Sequence, residues 1–271
     1  METHNLESKD RDIFIRPISY KNHYDFSKIH RHTYYEILLF ENGAGGNQVI
    51  DFEQFSIEND MLYMVAPNQA HLIQRKMSED GCIIQFSQKI IESCLPYLSS
   101  AILFTLRNQN SLKLEHDTTR RLLEYMGILD QLLKDSNGVF NEKIKLFLSF
   151  FLCDLHERLQ GGNEKEVSTL TLRFIDEVQK HFKEDRNIRN YADRLFVSTT
   201  TLSKQIKGDI DKTPLEIVHE YLIVEIKRLM IIEKFSHKEI SHYLHFDSQS
   251  SYSRFVVKMT GLKPSDLFNS L

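Results

Sequence analysis

Apolar residues between positions 13 and 87 occur in short segments of about four to eight residues. Residues 34–40 and 82–86 are examples. Turn-forming residues such as Glu41-Asn42-Gly43 and Glu79-Asp80-Gly81 separate these segments at regular intervals. Short strands spaced in this way predict a small antiparallel barrel or sandwich over residues 13–87.

After residue 88 the apolar residues recur every three or four positions, a spacing typical of amphipathic helices. They are Leu122, Met126, Leu129 and Leu133 in one stretch and Ile144, Phe147, Leu148, Phe151, Leu155 and Leu159 in the next. The polar break at residues 135–138 predicts a helical hairpin packed against the barrel. Because the second helix is apolar over a wide arc, we expect part of it to form a homodimer interface.

Glycine and charged residues follow this hairpin and precede another helical pattern, which predicts a flexible linker. We therefore expect two domains. The boundaries are an N-terminal domain at 1–160 (barrel about 13–87, helices about 88–160), a linker at 161–167 and a C-terminal helical domain at 168–271.

The C-terminal third predicts one long helix followed by short ones. Thr213-Pro214-Leu215-Glu216 contains residues favoured at a helix start, and the helix is expected to run to about Lys234. Ser236-His237-Lys238-Glu239 has the spacing of a capping box and begins a second helix, which ends at a polar turn around His245. Asp247 can cap a third helix, so this stretch predicts a helix–turn–helix.

The same pattern occurs once before the long helix, where Asn187 and Ser198 can cap two successive helices. Residues that lie 50 positions apart correspond: Leu202 with Tyr252, Ser203 with Ser253, Lys204 with Arg254, Ile206 with Val256 and Pro214 with Pro264. Leu195 and Leu244 lie 49 apart, so the second turn is one residue longer. A duplicated unit is more specific than either copy alone.

The long helix between the two units has a length suited to DNA. At ~1.5 Å per residue it spans roughly 30 Å, and successive major-groove segments on one face of B-DNA lie ~34 Å apart. Two helices with hydroxyl, amide and guanidinium groups can therefore reach adjacent turns of one duplex.

Residues Leu170–Phe268 resemble the DNA-binding domain of AraC-type transcriptional regulators. The resemblance is clearest in His245-Phe246-Asp247, Ser251-Tyr252-Ser253-Arg254 and Thr260-Gly261. His245 stands where the family commonly has glycine, which implies a non-glycine residue in a left-handed turn.

This resemblance implies which side chains contact DNA. Positions that match base-reading residues are Thr199, Thr200, Ser203 and Lys204 in the first unit and Gln249, Ser250, Ser251, Ser253 and Arg254 in the second. Gln249 suits adenine, whereas Arg254 suits guanine or a phosphate. Lys207 and Lys258 are placed for phosphates. A hydroxyl at a helix start, such as that of Thr199, can instead cap the helix.

The pattern His30-x-His32-x3-Glu36-x6-Gly43, followed by Pro67-x3-His71, is similar to the two motifs of the cupin β-barrel. That barrel is the usual N-terminal domain of sugar-responsive AraC-type regulators. Two interpretations stay open, and the first is a divalent transition metal held by His30, His32, Glu36 and His71. The second, which we favour, has no metal or other cofactor and an organic effector in the barrel, with Tyr34 and Tyr63 also facing it.

Composition narrows the class of protein. An apolar content of 41% with 27% charged residues excludes global disorder. The net charge is −4, and residues 164–271 carry 17 Lys and Arg against 16 Asp and Glu, so electrostatic attraction to DNA is modest. Three cysteines without metal-like spacing, and no signal or membrane segment, predict a cytoplasmic protein with reduced thiols.

The expected fold is α+β: a cupin-like β-barrel with a helical hairpin, then an all-α domain with two helix–turn–helix units joined by a long helix. The expected function is a ligand-responsive transcription factor, an activator rather than an enzyme. Its expected partners are double-stranded promoter DNA, a small-molecule effector such as a sugar or small acid, RNA polymerase and a second copy of the chain. The alternatives are a metal-dependent cupin enzyme with a helical appendage and a constitutive DNA-binding repressor.

Overall fold

The computed structural model describes residues 2–6, 12–20, 25–76, 78–98, 102, 105–106, 109–137, 140–160, 167–231 and 233–270. The chain divides into two compact units, Met1–Glu164 and Lys165–Leu271. Residues 161–166 of the predicted linker lie outside the described residues. No helix within the described ranges combines the length and the apolar character needed to cross a bilayer.

The first unit contains two sheets. Its strands are β1 (Glu2–His4), β2 (Ile13–Pro17), β3 (His30–His32), β4 (Tyr34–Asn42), β5 (Gly46–Ile50), β6 (Glu53–Ser56), β7 (Met61–Val65), β8 (His71–Arg75), β9 (Asp80–Ser87) and β10 (Ser111–Lys113). One sheet has the order β1-β3-β8-β5-β6 and the other β10-β7-β4-β9-β2. All described pairings are antiparallel except that of β1 with β3. The predicted α+β class is confirmed.

The central strand β4 is buried on both faces. Leu38 and Phe40 belong to a core with Ile50, Tyr63 and Ile73 from both sheets. Their neighbours Ile37 and Leu39 join a second core, shared with the helices of this unit. Successive residues of a strand point to opposite faces, so β4 separates the space between the sheets from the helical layer.

The helical layer is built from α1 (Gln88–Cys94), α2 (His116–Asp135) and α3 (Glu142–Gln160). Leu122, Met126 and Leu129 of α2 pack in the same core as Leu148 and Phe151 of α3 and the outer face of β4. The predicted helical hairpin against the sheet is therefore present.

The second unit is helical throughout its described secondary structure. Its helices are α4 (Thr169–His181), α5 (Ile188–Arg194), α6 (Thr199–Ile210), α7 (Pro214–Ile231), α8 (His237–Tyr243), α9 (Gln249–Thr260) and α10 (Pro264–Ser270). The pairs α5–α6 and α8–α9 are the two helix–turn–helix units, and α7 connects them.

Side-chain caps explain where most of these helices begin. Asn187 and Ser198 accept hydrogen bonds at the starts of α5 and α6, and Ser236 with Glu239 forms the predicted capping box of α8. The expectation for Asp247 was wrong, because Ser248 caps α9. The long helix is also shorter than predicted: it ends at Ile231, and Lys234 has a left-handed backbone with φ of 56°.

Both helix–turn–helix turns place a bulky residue in the left-handed region: Phe196 has φ of 59° and His245 has φ of 52°. The expectation that His245 adopts a left-handed backbone is confirmed. Equivalent backbone hydrogen bonds, Val197 N–H to Ala192 and Phe246 N–H to Ser241, follow each turn. Since Ser198 and Ser248 are the next caps, the second turn is one residue longer, as the repeat predicts.

We expect Phe196→Gly to stabilise the second unit. The side chain is 89% exposed, so its removal loses little burial, while glycine relieves a left-handed strain of about 1 kcal/mol. Chemical denaturation should show a gain of about 0.5–1 kcal/mol. Thr200→Gly, made in the right-handed backbone of α6, should instead lose a few tenths of a kcal/mol, because glycine has a lower helix propensity than threonine. Equal effects of the two substitutions would contradict the strain argument.

Candidate functional site

The helix α6 presents most of the predicted DNA-contacting residues of the first unit. Thr199, Thr200, Lys204 and Lys207 are exposed and Ser203 is half-buried, whereas Leu202 and Ile206 are buried beneath them. Ser198 rather than Thr199 caps the helix. Lys207 forms an ion pair with Asp211 at 2.9 Å, which reduces the charge that it offers to a phosphate.

A buried carboxylate fixes the position of α6. Asp209 Oδ2 accepts hydrogen bonds from the Ser168 hydroxyl at 2.6 Å and the Thr171 hydroxyl at 2.5 Å, and Oδ1 accepts from the Gln205 amide at 2.8 Å. Burial acts to raise the pKa of Asp209, but these hydrogen bonds hold it below its ordinary value. Hydrogen bonds of Asp209 therefore hold α6 against the start of α4.

The helix α9 presents the corresponding face in the second unit. Gln249, Ser250, Arg254 and Lys258 are exposed, Ser251 and Ser253 are half-buried, and Tyr252 and Val256 form the buried side. The hydroxyl of Ser251 donates to the Ser248 carbonyl at 2.7 Å and accepts from the Ser248 N–H at 3.1 Å. Ser251 is thus engaged in capping, which leaves Gln249, Arg254 and Lys258 as the long donors of this face.

In the first unit, the histidines and the glutamate of the cupin-like motif converge between the two sheets. His30 and His32 lie on β3, His71 on β8 and Glu36 on β4, and all four are buried. The pairing of His30 with His71 brings the strands of the two motifs together. Sequence reasoning therefore identified residues that are close in space.

Three of these residues form a compact group of potential metal ligands. Glu36 Oε1 lies 4.0 Å from His32 Nε2 and 3.9 Å from His71 Nε2. One ligand atom from each of the three lies within 4.8 Å of the others. The ring of His30 is 4.2 Å from that of His71.

Hydrogen bonds fix which nitrogen faces the group. His71 Nδ1 lies 3.2 Å from the Gln69 carbonyl and His30 Nδ1 lies 2.9 Å from the Lys28 carbonyl. A carbonyl only accepts, so each Nδ1 is the donor, and in the neutral ring Nε2 carries the lone pair. Burial, and then the adjacent imidazoles, lower the pKa of His71 and lower that of His32 to about 3, so both rings are neutral at pH 7.

The carboxyl group of Glu36 lies in an unusual environment for an acid. Burial raises its pKa to about 7, against the lowering effect of the Gln85 amide, which donates to Oε2 at 2.5 Å. Gln85 was not predicted from the sequence. It lies opposite Glu36 in the β4–β9 pairing. The sequence feature that could have identified it is that Gln85 is a polar residue among the apolar residues 82–86.

The ligand chemistry fits a divalent transition metal. In the part of the chain that the structure describes, neither ring nitrogen of the buried His32 has a hydrogen-bond partner. In a tetrahedral site with ligands at about 2.1 Å from the metal, ligand atoms lie about 3.4 Å apart. The Glu36 distances of 4.0 and 3.9 Å are somewhat longer, so these side chains would move slightly closer together on binding. Two neutral imidazoles and a carboxylate are donors that such an ion prefers.

A small cavity lies beside this group. It measures about 20 Å³, and His30, Glu36, His71, Tyr20 and Arg75 are among its lining residues. That volume has room for about one water molecule. Tyr34 and Tyr63 do not line it: Tyr34 stacks on His32 at 3.9 Å, and the Tyr63 hydroxyl donates to the Ser56 carbonyl at 2.6 Å.

A further histidine reaches the cluster from the segment that precedes the predicted barrel at residues 13–87. His4 lies on β1, which pairs with β3, and its ring is 5.6 Å from that of His30. Nothing in the local sequence predicted this strand, because its pairing partner lies far along the chain.

Comparison with known proteins agrees with the geometry of the second unit. Residues 191–270 match a family described as a helix-turn-helix domain. The chain is 20% identical over 245 residues to the HTH-type transcriptional activator RhaS of Escherichia coli O81 (strain ED1a), covering 88% of this chain and 86% of that protein.

Solved structures are also similar. Fatty-acid-bound ToxT from Vibrio cholerae matches 94% of both chains with 16% identity and a TM-score of 0.43. The DNA-bound domain of AdpA matches 38% of this chain and 93% of that one, with 16% identity and a TM-score of 0.35.

The matched helix-turn-helix domain begins at Tyr191 in α5, includes α6 and α9 and extends to the end of α10. The relatives, by contrast, extend over most of the chain and so include the first unit. The family match therefore covers both helix–turn–helix units of the second domain, and the chain is similar over most of its length to an HTH-type transcriptional activator.

Proposed function

We propose that the chain is an AraC-type transcriptional regulator, which activates transcription by placing α6 and α9 in successive major-groove segments of double-stranded promoter DNA. The equivalence of the two helices carries the proposal. Each has 12 residues, each begins at a capping serine, and each exposes a polar face over a buried apolar one. We also propose that DNA-bound protein contacts RNA polymerase, as activation requires.

Arg254→Ala should weaken binding and relax the choice of base at one position. An arginine paired with guanine contributes about 1–3 kcal/mol of discrimination, so the affinity should fall roughly 5- to 150-fold. The target is obtained by selecting sequences from a random duplex library with the purified full chain. Affinity for the selected site and for its single-base variants is then measured by fluorescence anisotropy.

Two other substitutions make this test specific. Lys258→Ala should weaken binding to all sequences alike and reduce the salt slope by about one, because its target is a phosphate. Arg173→Ala removes the same charge from an exposed position on α4 and should have little effect. Selection of no sequence by the wild-type chain, or equal effects of Arg254→Ala and Arg173→Ala, would contradict the proposal.

For the effector, we propose a divalent transition metal held by His32, Glu36 and His71, with His30 beside them. The support is the buried, neutral ligand group and the small size of the adjacent cavity. A sugar or small acid is the second candidate and requires a larger opening than this cavity provides. An effector that prefers one conformation of the chain shifts the population toward it, and so changes the DNA-competent fraction.

We further propose that the chain forms a homodimer through α2 and α3. Ile128, Leu146 and Phe150 are each about half exposed, and the rings of Tyr125 and Phe150 are 5.2 Å apart, so these two helices present apolar surface. Phe150→Lys should shift light-scattering mass from dimer to monomer. Lys143→Glu, an exposed change on the same helix, should not. Wild-type protein that stays monomeric at all working concentrations would contradict the proposal.

The proposal is that regulation, not catalysis, is the activity of the first unit. A cupin enzyme would show turnover together with stoichiometric metal. A constitutive repressor would give the same DNA footprint with and without metal.

A further inference from the structure

Two cationic side chains that lie just before the first helix–turn–helix unit contact the connecting helix and the second unit. Lys183 and Arg186 lie in the segment between α4 and α5. Their partners lie on α7, on α8 and in the turn before α9. The two helix–turn–helix units are therefore connected by these contacts as well as by α7.

Arg186 contacts the second turn in two ways. Its Nη2 donates a hydrogen bond to the carbonyl of Leu244, the C-cap residue directly after α8. Its guanidinium carbon lies 3.8 Å from the centre of the Phe246 ring. The first contact satisfies a helix-end carbonyl that has no partner within its own helix, and the second is a close cation–π contact.

Phe246 transmits this contact to the second reading helix. Its ring packs edge-to-face on Tyr252 at 5.5 Å and against Phe255 at 5.5 Å, and both residues belong to α9. The first turn has a different environment, since Phe196 is mostly exposed. Aromatic packing thus joins Arg186 to the buried side of α9.

Lys183 makes a parallel connection. Its Nζ lies 2.7 Å from Oε1 of the buried Glu225 on α7 and 3.4 Å from the hydroxyl of Tyr243 at the end of α8. Glu225 also pairs with Arg228 at 3.5 Å. A buried carboxylate with two cationic partners holds this segment against the connecting helix.

We propose that Arg186, supported by Lys183, is a positioning residue that sets the orientation of α9 relative to α6, and hence the spacing of the two DNA half-sites that the protein accepts. This inference rests on the proposed DNA-binding function. Arg186 itself is not proposed to contact a base. It acts through Leu244 and Phe246.

The test compares spacing preference in the full chain and in its Arg186→Ala variant. The probes are the duplex selected by the wild-type chain and derivatives with one base pair inserted or deleted between its two halves. Each inserted pair moves one half by ~3.4 Å and rotates it by roughly 34°, so a rigid pair of helices should bind it much less tightly. Arg186→Ala should bind the selected duplex roughly tenfold more weakly and lose most of its discrimination against the altered spacings.

Several controls separate positioning from other roles. Arg173→Ala should retain wild-type spacing preference, and Arg186→Lys, which keeps the charge but lacks the planar fork, should be intermediate. Phe246→Leu removes the ring under the guanidinium while keeping an apolar side chain, and should also relax spacing. This variant keeps the inference testable if Arg186→Ala does not fold.

The outcomes are distinguishable. Unchanged spacing preference in folded Arg186→Ala overturns the inference and leaves the proposed function intact. A salt slope reduced by about one with unchanged spacing preference shows a phosphate contact instead, which also overturns it. A wild-type chain that selects no duplex overturns both the inference and the DNA-binding proposal.

Discussion

Replacing Tyr252 by alanine is expected to unfold the second helix–turn–helix. The side chain is fully buried on α9, and its ring packs against Phe246 at 5.5 Å and His237 at 6.0 Å. Truncation of a large buried aromatic residue costs about 3–5 kcal/mol, because the surrounding helices cannot close the cavity completely. Such a loss is comparable to the whole stability of a small domain.

Hydrogen exchange measured by mass spectrometry can locate this effect. In Tyr252→Ala, amides of α8 and α9 should lose protection, while those of the β4–β9 pairing should not. Tyr252→Phe is the matched control: it removes only the hydroxyl, which lies 3.3 Å from His237 Nδ1, and should cost about 1 kcal/mol. Wild-type protection of α8 and α9 in the alanine variant would contradict this account of the core.

Local signals explain why the second unit was predictable from the sequence. A capping serine and a glutamate three residues later act within one helical turn, so the start of α8 could be assigned without knowing its neighbours. The repeat supplied a second, independent check. The error at Asp247 is equally local, since two good capping residues are adjacent and only the helix geometry selects Ser248.

Non-local contacts explain what could not be predicted. The strand β1 has no apolar period of its own and exists through pairing with β3, so neither it nor the position of His4 was foreseen. Gln85 meets Glu36 only because of the β4–β9 register. Arg186 and Phe246 lie far apart in sequence, and each reads as an ordinary residue until the fold brings them together.

In the first unit, we expect the largest change in stability from Glu36→Gln. Whether this substitution stabilises or destabilises the protein depends on the presence of metal. Burial raises the pKa of Glu36 from 4.5 to about 7, so the folded protein holds the proton more tightly than the unfolded chain does. The unfolded chain therefore loses the proton first, and stability decreases as the pH rises from about 4.5 through 7. Without metal, Glu36→Gln should be more stable than wild type at pH 8 by about 1–3 kcal/mol, and should match it near pH 4.

With metal the order should reverse, because a carboxylate is the charged ligand of the proposed site. At a free metal concentration of about 100 Kd, binding adds about 2.7 kcal/mol to the wild-type protein. Glu36→Gln should gain far less.

Thermal unfolding at pH 8 is measured with EDTA and with cobalt(II), whose visible spectrum reports binding directly. Glu41→Gln, the same change on the same strand outside the ligand group, should behave as wild type in both conditions. If cobalt(II) raised the unfolding temperature of Glu36→Gln as much as that of the wild type, Glu36 would not be a ligand of the proposed site. No shift in the wild-type protein with cobalt, nickel, manganese, iron or zinc would leave an organic effector as the remaining candidate.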